Sequence, residues 1–95
     1  MQIIQMNRKR QTKIVEKHLA DTPDGRTIFG YAYPELKKIE INKNLRGKTK
    51  FRSYIHELLH IAYPDSNETT ITAAEKVIAD GLWQAGYRWT DLKNR

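Results

Sequence analysis

The sequence predicts a single α+β domain in which a small, mostly antiparallel sheet of about three strands packs on an αα-hairpin. Short segments rich in β-branched and aromatic residues fill the first half of the chain, and two longer segments with helical periodicity fill the second half. The chain has 95 residues, the size of one small domain, and no linker or internal repeat divides it. We therefore expect residues 1–95 to form one domain.

The first half is expected to supply the strands. The segment "QTKIVEKHL" (11–19) predicts a first strand, although residues 13–19 also fit two turns of helix. Turn residues follow at 21–25. "RTIFGYAY" (26–33) and "KKIEIN" (37–42) then predict a second and a third strand, joined as an antiparallel hairpin.

The first predicted helix follows a polar loop, residues 42–49. Thr49 is suited to cap its N-terminus, and Pro64 ends it. Its apolar positions at helical spacing are Phe51, Ile55, Leu58, Leu59 and Ala62. We expect this stripe to be buried and the helix to be the central element of the domain.

The second predicted helix runs from Glu68 to about Ala85, and Gly86 is expected to close it. Its apolar positions are Ile71, Ala74, Ile78, Leu82 and Ala85. The short connection "YPDSN" makes the two helices antiparallel neighbours. This arrangement places Glu68 close to His60.

Positive charge is concentrated in the first half. Residues 1–55 hold 13 of the 17 lysines and arginines and 5 of the 11 acidic residues, a net charge of +8, whereas residues 56–95 carry −2. A basic surface favours acidic partners, including nucleic acid. The basic residues are scattered, however, and aromatic residues are not interleaved with them, so a solvated surface is the simpler interpretation.

Composition limits the cofactor and the compartment. The chain has no cysteine, so a bound metal must be held by histidine and carboxylate side chains. Metal binding would add directly to the stability of a small domain without disulfides. No apolar run is long enough for a membrane-spanning helix, so we expect no membrane contact and a cytoplasmic location.

The segment "SYIHELLHIAYPD" contains the pattern H-E-x-x-H at His56, Glu57 and His60. Histidines four residues apart on a helix lie on one face and reach the same point in space. The intervening Glu57 is rotated by about 100°, so it misses the metal but reaches a water bound to it. The pattern predicts a zinc site in which His56 and His60 are ligands and Glu57 is the general base.

A catalytic zinc site needs a third protein ligand, and three carboxylates follow the motif. Asp65 lies in the turn, where it also suits a helix cap. Glu68 lies near His60 and has Thr72 four residues on as a hydrogen-bond partner, so we favour Glu68. Glu75 lies on the same face two turns along and is suited either to bind the metal or to orient an imidazole from behind.

Strands, an "HELLH" helix and a second helix bearing a glutamate resemble the zincin metallopeptidases, over residues 31–87. Within them the chain is most similar to the gluzincin type and to small bacterial and phage zincin-like proteins. The resemblance implies zinc on His56 and His60, Glu57 as general base, and a sheet edge that pairs with an extended peptide. The metzincin pattern is absent, because no glycine follows three residues after His60. No histidine follows the motif either, and His18 precedes it.

The sequence thus predicts a zinc metallopeptidase that hydrolyses amide bonds. The alternative is a non-catalytic, zinc-stabilised module that binds nucleic acid or an acidic protein through its basic N-terminal half. Zinc peptidases also need a donor to the developing oxyanion. Tyr31, Tyr33 and Tyr63 are candidates for that role, and packing aromatics are the simpler interpretation of all three.

Overall fold

The computed structural model describes residues 11–90; residues 1–10 and 91–95 lie outside the described part. The expected α+β fold is confirmed, because a three-stranded sheet is followed by two helices. The strands are β1 (Lys13–Lys17), β2 (Gly30–Tyr33) and β3 (Lys38–Asn42), and the helices are α1 (Gly47–Ala62) and α2 (Glu68–Gln84). The first segment therefore forms a strand and not two helical turns.

The sheet is mixed, with strand order β1-β3-β2. β2 and β3 form the expected antiparallel hairpin, and a short 3₁₀ helix at Pro34–Leu36 joins them. β1 pairs with β3 in parallel, from Lys13 opposite Lys38 to Lys17 opposite Asn42. The chain reverses between β1 and β2 and again between β2 and β3, so β3 runs in the direction of β1. The prediction of a mostly antiparallel sheet is therefore only roughly right.

Both ends of the β1 to β2 connection differ from the prediction. β1 ends at Lys17 rather than at residue 19, and β2 begins at Gly30 rather than at residue 26. Within the connection, the Thr22 N–H donates to the Arg26 carbonyl at 2.9 Å, and the Thr22 hydroxyl accepts from the Arg26 N–H at 2.8 Å. The turn uses these groups, so they do not join the ladder of the sheet.

α1 begins at Gly47 with Arg46 as its N-cap residue, ahead of the predicted cap Thr49. The face that it buries also differs from the prediction. The buried side chains of α1 are Lys50, Ser53 and Glu57. In the predicted apolar stripe, Leu58 and Ala62 are exposed, and the half-buried members are Phe51, Ile55 and Leu59.

Two of the buried polar side chains of α1, Lys50 and Ser53, have hydrogen-bond partners within the fold. The Lys50 ammonium donates to a Glu16 carboxylate oxygen of β1 at 2.8 Å. The Ser53 hydroxyl donates to the Thr49 carbonyl at 2.9 Å, one turn back along the helix. Buried polar groups with such partners cost little stability. The helix can therefore turn its polar side toward the sheet, and that side includes Glu57.

Both ends of α2 are closed, the N-terminal end by Asn67 and the C-terminal end by Gly86 as predicted. The Asn67 side-chain oxygen accepts from the Thr70 N–H at 2.8 Å, as an N-cap does. At the other end Gly86 has φ = +106°, and its N–H donates to the Trp83 carbonyl at 3.0 Å. Glycine takes this left-handed conformation without strain. Within residues 11–90 no helix is both long enough and apolar enough to cross a membrane.

The apolar core is small and lies between the sheet and the helices. Ile39 and Ile41 alternate on one face of β3 and are completely buried. α1 packs on this face, in contact with β2 and β3, and α2 packs on α1. The buried apolar side chains of the described residues are Leu19, Ile39, Ile41, Ile71 and Ala79. Five such residues are few for a domain of this size, so polar contacts carry much of the packing.

Candidate metal centre

His56 and His60 lie one turn apart on α1, as the motif predicts. Their ring centroids are 5.0 Å apart, and both side chains are half-buried. The rings stand on the side of α1 that faces α2, next to the face that packs on the sheet. Helical spacing alone brings the two imidazoles together.

Glu68, in the first turn of α2, contacts both imidazoles. One carboxylate oxygen lies 2.7 Å from Nε2 of His56, and the other lies 2.9 Å from Nε2 of His60. The antiparallel hairpin produces this contact, because it returns the start of α2 to the end of α1. The Glu68 side chain is 66% exposed, so these two rings are what orients its carboxylate.

Glu75 lies behind His56, two turns further along α2. Its carboxylate is buried, and one oxygen is 3.0 Å from Nδ1 of His56. The other oxygen accepts from Nε of Arg52, one turn before His56 on α1. Glu75 thus fixes the orientation of the His56 ring from the side opposite Glu68, and Arg52 fixes Glu75.

The donor atoms of His56, His60 and Glu68 lie close enough together to hold one metal ion. One ligand atom from each residue lies within 4.8 Å of the others. Two imidazole nitrogens and one carboxylate oxygen are a donor set of catalytic zinc sites, which leave the fourth position open. Both histidines present Nε2, and Nδ1 of His56 is bonded to a carboxylate, the pattern that orients histidine ligands in zinc proteins.

The pKa of the His56 imidazole is raised above its usual value. Burial lowers it, but the hydrogen bond to Glu75 and the negative charges of Glu57 and Glu68 outweigh burial. A metal at Nε2 needs this nitrogen without its proton, so the raised pKa makes metal binding compete with a proton.

Glu57 is buried beside this cluster, between α1 and the sheet. Its side chain is 7% exposed and packs against Gly30 of β2, where a Cβ would lie 3.1 Å from Cγ of Glu57. Burial raises the pKa of Glu57 to about 7; the His56 charge opposes this shift, and the charges of Glu68 and Glu75 add to it. A carboxyl group with this pKa gains and loses a proton near neutral pH.

A pocket of about 500 Å³ opens beside the cluster. One wall is the chain from Thr27 to Tyr31, which leads into the edge strand β2. The opposite wall is formed by side chains of both helices: Thr49, Arg52, Ser53, His56, Glu57, Glu68 and Glu75. A ligand in this pocket would meet Glu57 and the His56 to Glu68 contact together.

The remaining predicted residues lie outside this cluster or contribute less to it. Thr72 is exposed, and the hydrogen-bond partners of the Glu68 carboxylate among residues 11–90 are the two histidines. Asp65 is exposed in the turn, and Asn67, not Asp65, caps α2. Of the three candidates for the third ligand, Glu68 therefore contacts both imidazole rings and Glu75 contacts only that of His56. Asp65 lies away from the cluster.

Tyr31 and Tyr33 lie together on β2, and Tyr63 lies at the end of α1. The Tyr33 hydroxyl donates to Glu40 at 3.3 Å, and the ring of Tyr31 lies 6.4 Å from that of Tyr33. Tyr63 ends α1 as its C-cap residue and is 60% exposed. Their role as oxyanion donors stays a prediction.

Sequence reasoning missed two residues of the site. Arg52 precedes His56 by four residues, so helical spacing alone places it on the same face. Gly30 interrupts a strand of bulky residues, which is a signal for a close approach of another group. Here that group is Glu57.

Comparisons of this chain with protein-family models, with curated proteins and with solved structures found no match. A proposal for its function therefore depends on the geometry of its own residues.

Proposed function

We propose that this protein is a zinc metallopeptidase, with His56, His60 and Glu68 as ligands and Glu57 as general base. The observation that carries the proposal is the convergence of both Nε2 atoms on the Glu68 carboxylate, at 2.7 and 2.9 Å. A helix that merely exposed two histidines would not need a carboxylate from a second helix at this point. It would also not need Glu75 at the far side of the His56 ring.

When bound, zinc lowers the pKa of a coordinated water to about 7 and polarises a substrate carbonyl. Glu57 accepts the proton of the attacking water as the new C–O bond forms, and it then gives that proton to the departing amine as the C–N bond breaks. The pKa of about 7 suits Glu57 to both transfers. Glu57 also lines the pocket, where a bound substrate would meet it.

The free edge of β2 is suited to hold an extended peptide. The Phe29 carbonyl accepts from the Asn42 N–H at 2.9 Å, so Phe29 and alternate residues after it direct their backbone groups to β3. Gly30 and Ala32 then direct theirs outward, along the wall of the pocket. A peptide paired with these groups would run past Glu57, in the manner of an added strand.

The test is peptide cleavage by the zinc-loaded protein. A proteome-derived peptide mixture, analysed by mass spectrometry for new ends, samples many sequences at once, so the substrate need not be chosen in advance. We expect cleavage by the wild type and a loss of at least about 100-fold in Glu57→Gln, which keeps zinc but lacks the base. Glu35→Gln, the same change at an exposed glutamate of the 3₁₀ helix, is the matched control and should cleave normally.

Two results would contradict the proposal. One is that Glu57→Gln cleaves the same bonds as fast as the wild type. The other is that the wild type, with zinc bound, produces no new peptide ends.

A further inference from the structure

The face of the sheet that points away from α1 has a composition of its own. Ile39, Ile41 and Gly30 point toward α1, so their neighbours on each strand point to the opposite side. We call this side the outer sheet face. In the observed register it carries Lys13, Val15, Lys17, Phe29, Tyr31, Tyr33, Lys38, Glu40 and Asn42.

Three aromatic side chains form a row on this face. Phe29, Tyr31 and Tyr33 alternate along the edge strand, and Phe29 continues the ladder through its hydrogen bond with Asn42. Phe29 is 51% exposed and Tyr31 is 44% exposed. Exposed rings at successive positions of one strand face are unusual unless a binding partner covers them, because burying apolar surface lowers the free energy.

Lysines of the two other strands share this face, with Lys38 on β3 next to the row and the lysines of β1 one strand further away. Lys38 lies over the Tyr33 ring at 5.5 Å, and Lys17 and Lys38 lie 3.8 and 3.2 Å from the Glu40 carboxylate. Lys13 stands opposite Lys38 in the parallel pair. The face thus carries three lysines and one glutamate, so positive charge is in excess beside the rings.

The aromatic edge of this face is exposed, whereas Glu40 and Asn42 of the central strand β3 are buried, at 8% and 4% exposure. Among residues 11–90, α1 packs on the Ile39 side of the sheet, and α2 packs on α1. The pairing of Glu16 with Lys50 of α1 confirms that the alternate residues of β1, Lys13 and Lys17 among them, project away from the helices.

We propose that the outer sheet face binds single-stranded nucleic acid. Unpaired bases stack on aromatic rings whatever their sequence, and lysines beside the rings neutralise the phosphates. An acidic peptide would use the lysines but not a row of three rings. A duplex keeps its bases stacked and would leave the rings exposed. The linear sequence does not interleave lysines with aromatics, because the lysines of β1 and β3 come to share a face with the rings of β2 only in the folded sheet.

The test uses the full chain and a fluorescein-labelled oligothymidylate of about 12 nucleotides. We expect the dissociation constant to rise about tenfold in Phe29→Leu and again in Tyr31→Leu, since leucine keeps apolar bulk but offers no ring to stack on. Tyr87→Leu is the matched control, because Tyr87 is 62% exposed at the far end of α2. Its affinity should equal that of the wild type, and so should that of Glu57→Gln.

The charge contribution is tested separately. Lys13→Gln and Lys17→Gln should each weaken binding and lower the slope of log affinity against log salt by about one unit. Lys76→Gln is the control, because it makes the same charge change on α2, where the Lys76 side chain is 71% exposed. It should change neither the affinity nor the slope. Circular dichroism and zinc content show that each variant is folded.

Three results would overturn the proposal. One is equal affinity of Phe29→Leu, Tyr31→Leu and Tyr87→Leu, which would remove the rings from the site. Another is equal binding of a duplex. The third is competition by a polyglutamate peptide as strong as that by unlabelled oligothymidylate, which would assign the face to acidic proteins.

Discussion

Glu57 is held in surroundings that disfavour its charged form. The carboxylate is buried against Gly30, and the nearest described charges include two further carboxylates, Glu68 and Glu75. The positive charge of His56 opposes them. Partial protonation of Glu57, the proposed catalytic base, near neutral pH is the expected result, and its energetic cost should appear in the stability of the metal-free protein.

Without metal, the stability of the wild type should fall as pH rises. The pKa of Glu57 is about 7 in the folded protein against an ordinary 4.5, so between these values the folded form holds more protons than the unfolded chain. The stability present at low pH is then lost as pH rises through about 7. Compared with Glu57→Gln, the wild type should lose on the order of 2 kcal/mol between about pH 5 and about pH 8.

Urea denaturation in a chelating buffer measures this difference, with Glu35→Gln as the surface control. Parallel pH profiles for the wild type and Glu57→Gln would contradict the assigned environment of Glu57.

At the scale of single residues, the sequence predicted the members of the proposed metal cluster but not the side chains that hold them in place. His56, His60 and Glu68 follow from helical spacing and the length of one turn, both of which are local. The pairing of Arg52 with Glu75 joins two helices, and the choice between Glu68 and Glu75 depends on where those helices cross. Neither feature follows from a local pattern.

Among the elements, β2 has the most constrained position, because Gly30 separates β3 from Glu57. A Cβ at Gly30 would lie 2.6 Å from the Glu40 carbonyl oxygen and 3.1 Å from Cγ of Glu57. The first distance is shorter than real Cβ contacts and the second is shorter than most of them, so the strand must shift and the Glu57 side chain must give way. The edge strand and Glu57, the proposed general base, are therefore coupled through one residue without a side chain.

Gly30→Ala should destabilise the protein by about 1–3 kcal/mol, the cost of forcing an extra methyl into a filled space. Gly81→Ala is the contrast, since a Cβ at Gly81 of α2 meets no heavy atom within 4 Å. Helix propensity should make that variant more stable by about 0.5–1 kcal/mol. The midpoints of urea denaturation measure both changes in stability. A Gly30→Ala protein as stable as the wild type would contradict the close packing of Gly30 against Glu57.

The elements themselves were largely predictable, and their pairing was not. Periodicity indicated both helices, and turn residues indicated the hairpin of β2 and β3. The parallel pairing of β1 with β3 joins segments that are distant in the sequence, and hydrophobic periodicity within one segment does not predict such a contact. The polar face that α1 turns toward the sheet was also unpredictable, because apolar periodicity assigns burial to the stripe that contains Leu58.

For the whole molecule, a small apolar core makes the stability sensitive to the proposed metal. The described part of the chain buries five apolar side chains and has no disulfide to add to them. A ligand that binds only the folded state stabilises it in proportion to the logarithm of its concentration. Zinc would also relieve the apposition of the three carboxylates at the site.

Saturating zinc should therefore raise the melting temperature by on the order of 10 °C, and a chelator should reverse the change. His56→Ala should abolish the shift. His18→Ala should retain it, because His18 lies in the β1 to β2 connection and contacts Asn44. If zinc left the melting temperature of the wild type unchanged, the metal would not contribute to the stability of the folded protein.

The most direct test of the central claim is a zinc titration of the wild type, Glu68→Ala and Glu75→Ala, in competition with a chromophoric chelator. We predict about one tightly bound zinc per chain in the wild type and loss of that binding in Glu68→Ala. Glu75→Ala should keep the stoichiometry with an affinity about 10–100-fold lower, because Glu75 only orients His56. Zinc binding by Glu68→Ala as tight as that of the wild type, or no stoichiometric zinc in the wild type, would contradict the account.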